Sequence, residues 1–474
     1  MEKHKWFLDS LESFQATYPK QFHLPCHSGR YTDQRFKDAE QRIGSKKIDG
    51  SWFGLYDVED LALKDGRLND LGANYHDAFN SSLTLFLQNG STLGNQVLCM
   101  AFAKKKVLVQ SNSHVSVYIG LQNAGATLII LQPEFDLEYG IFQPINAKQI
   151  QDILQNHPDL DAVYLTSPNH EGLACNYEEI RQAIGDYIML IIDEAHGSHF
   201  YFKKDLKCKA ALNQNMRCID AAVTSIHKNL GGLSATALIN LSYGSRLENE
   251  QIIDIYNMVS TTSPSPYLLL DTECCVRKFQ EDGEEMITQA IQLNSRFREQ
   301  ISSIDFVKVV NYPDQDPTKT VLRITGIDGE SLYKLLDQNR INVEKYSKTS
   351  VLITIHININ EQDVEDLIEA VKLISKLYGS EELIRDKKYL AQQEYINLSL
   401  KRLLQNRVFK MDIRDVMASK TEKIKCSQAI GKISAEMKSK SPPGYPILLY
   451  GEIIQDEHIQ FLGGDEMIKV VREV

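Results

Sequence analysis

A lysine that directly follows an apolar run means little by itself, so Lys228 in the string SIHK at 225–228 becomes chemically interesting only in company. Alone it reads as a solvated residue at a strand boundary. The company is Asp193, which opens DEAHGSH at 193–199 straight after the apolar run IMLII, and an ionised carboxylate in that place calls for a cationic or N–H partner. NGSTLGN at 89–95 follows another apolar run and opens a helical pattern. Its backbone N–H groups and the hydroxyls of Ser91 and Thr92 can hold a phosphate at the positive end of a helix dipole, although an N-capped turn reads the same way in isolation. SNSH at 111–114 adds His114, which alone is as readily a structural histidine. The phosphate loop G-x-x-x-x-G-K-[ST] is absent, which removes the helicase reading of the DEAH string and assigns a phosphate to some other ligand. A phosphate cup, a strand-end carboxylate and a lysine after a later strand are together the parts that hold pyridoxal phosphate. The lysine forms a Schiff base, the cup takes the phosphate, and Asp193 keeps the pyridine nitrogen protonated so that the ring accepts electrons.

The elements that must position these residues are short β-rich apolar runs alternating with helical patterns: LTLFLQ, KVLVQ, ATLIIL, AVYLT, IMLIID, AAVTS and ATALINL. The alternation predicts an α/β fold with a mainly parallel central sheet covered by helices on both faces. In such sheets ligands bind beyond the carboxyl ends of strands, which is where all four polar clusters fall. At 474 residues the chain is too long for one core. It divides into an N-terminal arm at 1–60, a large cofactor-binding domain at 61–275, a smaller α/β domain at 276–385 and a C-terminal domain at 386–474. Within the third part, KTVLRITG, ESLYKLLDQN, SVLITIHI and the helical periodicity of 363–373 predict a second layer of strands and helices.

The composition, 43% hydrophobic and 24% charged, is that of a globular protein, and the net charge of −11 disfavours a nucleic acid and suits a cationic small molecule. The start MEKHKWFLDSLESF lacks a signal-peptide core and no apolar run approaches the ~18 residues needed to span a bilayer, which places the protein in the cytoplasm, away from membranes. The eight cysteines show no C-x-x-C pair and no zinc spacing, so free buried thiols and no metal are expected.

Taken together, FHLPCHSGR (22–30), NGSTLGN, SNSHVSVYIGL, TSPNHEG, DEAHGSHF, SIHKNL, STTSPSPYLLL and KISAEMKSKSPPGYPILLYGE make the chain resemble the fold-type-I, aminotransferase-like Orn/Lys/Arg decarboxylases in their short bacterial form. The likeness runs through most of the chain. It implies that Lys228 forms the resting Schiff base, with Asp193 at the pyridine nitrogen, His114 stacked on the ring face and Ala195 packed beneath it. Ser91, Thr92, Ser225 and His227 would surround the phosphate. Thr262, or else Thr261, would reach the phosphate of the neighbouring subunit, giving a homodimer with composite active sites. The chain departs from the family in NLGGLSATA after the lysine, in TSPNHEG, in the extra proline of SPSPY and in Cys26 where glycine is usual.

The reaction so implied is decarboxylation of arginine, lysine or ornithine to the corresponding di- or polyamine precursor and CO2. His227 and Lys228 are both plausible donors of the proton that returns to Cα. A distal ammonium or guanidinium calls for a carboxylate, with Glu436 and Glu452 as candidates. Two other readings use the same scaffold: another pyridoxal-phosphate reaction, such as transamination or retro-aldol cleavage, and a catalytically silent regulatory relative. The second has no chemical need for Lys228 and Asp193.

Overall fold

The computed structural model describes residues 19–29, 33–50, 74–212, 218–310, 312–380, 406–440 and 445–472, with isolated positions at 11–12 and between 391 and 403. Much of the expected N-terminal arm (1–10, 13–18, 30–32 and 51–60), the start of the expected C-terminal domain at 386–390 and the PPG of the late motif at 442–444 lie outside these residues.

All seven predicted strands form, as β1 (Leu83–Leu87), β2 (Lys106–Gln110), β3 (Thr127–Leu131), β4 (Ala162–Thr166), β5 (Met189–Asp193), β6 (Ala221–Ser225) and β7 (Ala237–Leu241). They make one sheet in the order β1-β7-β6-β5-β4-β2-β3. The pairs β6/β5, β5/β4, β4/β2 and β2/β3 are parallel, whereas β7 runs antiparallel to both β6 and β1. The sheet is therefore mixed, with one reversed strand. Leu190, Ile191, Ile192, Ala221, Ala222 and Val223 are fully buried, as expected of central strands covered on both faces.

The reversal is local. After Lys228 the chain turns through Gly231 and Ala235, both at φ +74°, and returns beside the strand it has just left. Gly231 suits that left-handed position, for which a β-carbon is costly. The departure NLGGLSATA is thus the turn that brings β7 back, with Leu233 N donating to the buried Asp271 carboxylate at 2.6 Å.

A second core surrounds an antiparallel sheet of β8 (Val307–Val309), β9 (Lys319–Ile324), β10 (Lys345–Tyr346) and β11 (Val351–Thr354) in the order β8-β9-β11-β10. The helices Gly329–Gln338 and Glu361–Tyr378 cover it, each N-capped by a side chain, Asp328 and Asn360. One long helix, Pro266–Ile301, starts with proline at its first position and serves both cores: Phe279 and Ile287 pack in the first, Phe297 and Ile301 in the second. The strand Lys20–Phe22 pairs in parallel with Ile341–Val343, and from there the chain crosses to the first sheet, where Cys26 N donates to Lys228 O at 2.9 Å. A smaller C-terminal core contains Cys426, Leu448, Ile468 and Val470, and Gln122 Nε2 ties this part to the large unit through Tyr450 O at 2.8 Å. All eight cysteines are free and buried. Among the described residues no helix is long and apolar enough to cross a membrane.

The helix α1 (Gly90–Met100) lies tightly on the sheet because Gly94 has no side chain. A β-carbon there would come within 2.7 Å of Val223 Cγ1 and 2.8 Å of Leu87 Cδ1. Gly94→Val is expected to cost about 1–3 kcal/mol through overpacking. Urea unfolding followed by circular dichroism measures this, and an unchanged midpoint would mean that the contact can relax freely.

Candidate active site

At the edge where β1, β2, β4, β5 and β6 end, the structure gathers most of the residues singled out in the sequence. Asp193 is the last residue of β5 and is 2% exposed. Its Oδ1 accepts Ala195 N at 3.2 Å and its Oδ2 accepts Asn95 Nδ2 at 2.9 Å. The neighbouring Glu194 points elsewhere, its oxygens accepting Tyr201 OH at 2.8 Å and Ala211 N at 2.6 Å, and burial pushes its carboxyl up to about 8. Of the two acids in DEAH, only Asp193 joins the cluster.

Asn95 was not foreseen, although it closes the NGSTLGN motif. Fully buried on α1, it uses both amide hydrogens, one on Asp193 Oδ2 and one on Ser116 Oγ at 2.9 Å, while its oxygen accepts Tyr164 OH at 2.9 Å. The amide orientation follows from these contacts, since a flipped Asn95 would set oxygen against carboxylate. Ser116 Oγ, having accepted from Asn95, gives its own hydrogen to His114 Nδ1 at 2.8 Å. Ser116 N also donates to that nitrogen at 3.2 Å. Neutral His114 therefore carries its hydrogen on Nε2. Partial desolvation of the ring, and after it the Lys228 amine against the pull of Asp193, lowers its proton affinity although the residue remains exposed at one side.

Lys228 stands in the short helical turn after β6, with Ser225 at the strand end. Burial lowers the proton affinity of its amine, opposed by Asp193 and Glu344 and reinforced by Lys319. Glu344 is held by Leu24 N at 2.8 Å and Thr354 Oγ1 at 3.3 Å. The Lys228 Nζ contact is His196 Nε2, at 3.0 Å. DEAHGSH contains that histidine, but sequence reasoning assigned it no role, because a residue in the turn beyond a strand follows no periodicity.

Ser91 and Ser225 meet hydroxyl to hydroxyl at 2.5 Å, joining the first turn of α1 to the end of β6. Gly90, at φ +65°, lets the chain enter that helix, and a β-carbon on it would lie 3.8 Å from His227 Cε1. His227 Nδ1 lies 2.7 Å from Thr236 O, which fixes the hydrogen on Nδ1 and leaves Nε2 with a lone pair. Thr92 is exposed beside Ser91 on α1. Thr262 is not brought to this cluster within one chain: it is exposed in the turn before the long helix, where Thr261 Oγ1 accepts Ser263 N at 3.1 Å.

The two acids considered for a distal cation are engaged elsewhere. Glu452 is fully buried, with Arg407 Nη1 at 2.6 Å, Leu449 N at 3.0 Å and His458 Nε2 at 3.2 Å. Glu436 accepts Lys469 N at 2.8 Å and faces Lys438 at 3.8 Å. The departure at Cys26 has a local reason: its thiol donates to Asn229 O at 3.2 Å while its amide holds Lys228 O.

The donor set fits pyridoxal phosphate. A lysine with depressed proton affinity, an oriented buried carboxylate, an exposed imidazole tied to that carboxylate through Ser116 and Asn95, and paired hydroxyls at a helix start together match a carbonyl, a ring nitrogen, a ring face and a phosphate.

Comparison with known proteins agrees. Residues 6–321 match the family model for the Orn/Lys/Arg decarboxylase major domain. An arginine decarboxylase of Bacillus subtilis is 26% identical over 467 residues, covering 95% of this chain and 91% of that protein. The constitutive lysine decarboxylase of E. coli superposes with a TM-score of 0.73 at 18% identity, over 98% of this chain and 82% of the other. SPT solved with PLP gives a TM-score of 0.55 at 13% identity over 73% and 83%.

The contact between Asn95 and Asp193 supplies a test with a definite sign. Asn95→Asp sets two carboxylates at hydrogen-bond distance in a buried place, which raises the new acid above the roughly 4 of an unfolded aspartate. A group whose folded pKa is raised leaves stability intact below its unfolded value and removes it as pH climbs through the folded value. The urea midpoint of Asn95→Asp is therefore expected to fall further below wild type as pH rises from about 4 towards neutral. A deficit independent of pH would contradict the contact.

Proposed function

The chain belongs to the Orn/Lys/Arg decarboxylase family, and from that premise we propose that it removes the α-carboxylate of arginine, lysine or ornithine in a pyridoxal-phosphate-dependent reaction, releasing CO2 and the corresponding amine. The observation that carries this reading is the juxtaposition of Lys228, its amine depressed by burial, with Asp193, a buried carboxylate oriented by Asn95.

Pyridoxal phosphate, when bound, supplies an electron-accepting ring for the pair left behind as the bond from Cα to the carboxylate breaks. Asp193 holds a proton on the ring nitrogen, and Asn95 and Ala195 keep its oxygens turned to that task. Lys228 provides the amine that anchors the carbonyl, and its depressed proton affinity makes the neutral, nucleophilic form accessible. Ser91, Thr92, Ser225 and His227 would hold the phosphate, with the Ser91 and Ser225 hydroxyls already paired at the helix start. His114 offers the exposed imidazole beside Asp193.

The tautomer of His227 supports Lys228 over His227 as the proton donor. Its only ring hydrogen is committed to Thr236 O, and burial resists a second. Lys228 therefore gives the proton that Cα takes in place of the carboxylate. The overall change breaks one carbon–carbon bond, forms one carbon–hydrogen bond and takes up one proton from solvent per CO2.

The test is to incubate protein and cofactor with arginine, lysine and ornithine in turn while measuring CO2 and amine. One of them is expected to yield both in equal amounts. A keto acid without CO2 would overturn the reading. Borohydride reduction is expected to fix the cofactor on Lys228, and Lys228→Ala to lose both turnover and the visible absorbance; a label on another lysine would refute the assignment.

The exposed Thr262 completes the phosphate site of a partner subunit in this reading. Thr262→Glu and Lys228→Ala are each expected to be nearly inactive alone. Exchanged together they recover up to about a quarter of wild-type activity, because half the dimers are mixed and each has one intact site. No recovery despite demonstrated exchange would place both residues in one site.

A further inference from the structure

None of the roles above uses His196, yet its Nε2 is the atom facing Lys228 Nζ, at 3.0 Å. The imidazole is held by its surroundings. His196 O accepts Asn229 Nδ2 at 2.5 Å, which closes the turn after β5 onto the residue following Lys228. The residue is 4% exposed, and the ring of His170 lies against its imidazole at 4.4 Å between centroids and 52° between planes. His196 Nδ1 has no protein hydrogen-bond partner.

The charges around this pair are all identifiable. Lys228, His170, Lys319 and Lys345 face His196 and, after burial, depress its proton affinity well below the usual value. Lys319 donates to His170 O at 2.7 Å, and Lys345 pairs with Glu171 at 2.6 Å. On its other side Lys228 faces Asp193 and Glu344. His196 is thus a neutral imidazole in a cationic neighbourhood. A neutral imidazole offers either a lone pair or an N–H to an amine, and next to an ammonium only the lone pair is favourable. With Nε2 accepting, the ring hydrogen sits on Nδ1.

Resting on the decarboxylase reading for its purpose but not for its geometry, we propose that His196 is the positioning residue of Lys228: Nε2 accepts one ammonium hydrogen, holds the protonated form of the amine in place and leaves its other hydrogens directed to the site. Burial and Lys319 favour loss of the proton, and His196, with Asp193 and Glu344, favours keeping it. The lysine needs both forms, neutral to attack a carbonyl and protonated to deliver a proton to Cα. His196 acts through Lys228 and exchanges no proton itself.

The experiment measures Lys228 in cofactor-free protein, where no decarboxylation can occur. Acetic anhydride labels the neutral amine, and the extent of Lys228 acetylation, read by mass spectrometry across pH, gives the titration midpoint. Loss of a hydrogen bond to an ammonium removes stabilisation of the charged form, so His196→Ala is expected to lower the midpoint by about one to two pH units. His196→Gln, whose amide oxygen accepts a hydrogen bond, is expected to recover at least half of that shift. Circular dichroism and urea midpoints, run on each variant, separate a titration shift from misfolding. In the loaded enzyme the same order, wild type above Gln above Ala, is expected in kcat with KM little changed. An unchanged or raised midpoint in His196→Ala, or a Gln variant no different from Ala, would overturn the proposal. A chain that proves to catalyse some other reaction leaves the cofactor-free titration intact, so the two failures are distinguishable.

Discussion

Two opposite charges, Asp193 and Lys228, stand at the ends of adjacent strands, and among the described residues no ion pair joins them. Each is held by a neutral partner, Asp193 by the Asn95 amide and Lys228 by the His196 imidazole. A direct pair would hold the amine in its charged form against the carboxylate and close the space between them. Neutral partners leave that space open and both groups facing a ligand. The remaining features of the site follow from keeping these two groups close and separately satisfied.

That separation rests on backbone arrangements some distance from the charges. Asn95 reaches Asp193 only because Gly94 lets α1 approach Val223 and Leu87. His196 reaches Lys228 because the turn after β5 is fastened to Asn229, and Asn229 in turn accepts the Cys26 thiol on its carbonyl. Cys26 belongs to a segment whose strand, Lys20–Phe22, is paired with the second sheet. The lysine in the turn after β6 is thereby fixed by two stretches of chain far from it in sequence, the turn after β5 and the segment of Cys26.

The sequence displayed the strands and the edge they share, because buried parallel strands are short apolar runs and polar residues at their ends stand out. It could not display the direction of β7, since apolar runs carry no polarity; the glycines of NLGGLSATA were visible, but their consequence needed the turn. Asn95 and His196 lay in motifs already quoted, yet partners brought together by a helix crossing a sheet, or by a turn beyond a strand, leave no periodic trace. The surroundings of Glu452 were hidden in the same way: a single acid in the C-terminal block reads either as a partner for a distal cation or as solvated, and only the fold reveals Arg407 and His458 beside it.

The second core also shapes the electrostatics of the first. Where the two meet, Lys319 donates to His170 O, Gln315 Nε2 donates to Glu171 O at 2.8 Å, Asp316 N donates to Gly172 O at 2.8 Å and Lys345 pairs with Glu171. This seam uses the TSPNHEG turn as its anchor on the large unit. It brings Lys319, which lowers the proton affinity of Lys228, and Glu344, which raises it, from the same small sheet. The opposing influences come from either side of one strand, Lys319 on β9 and Glu344 just before β10 with β11 between them, so a shift of that sheet relative to the first changes both together. The chemistry of the lysine is in this way coupled to the docking of the second unit, through charges that never touch the amine.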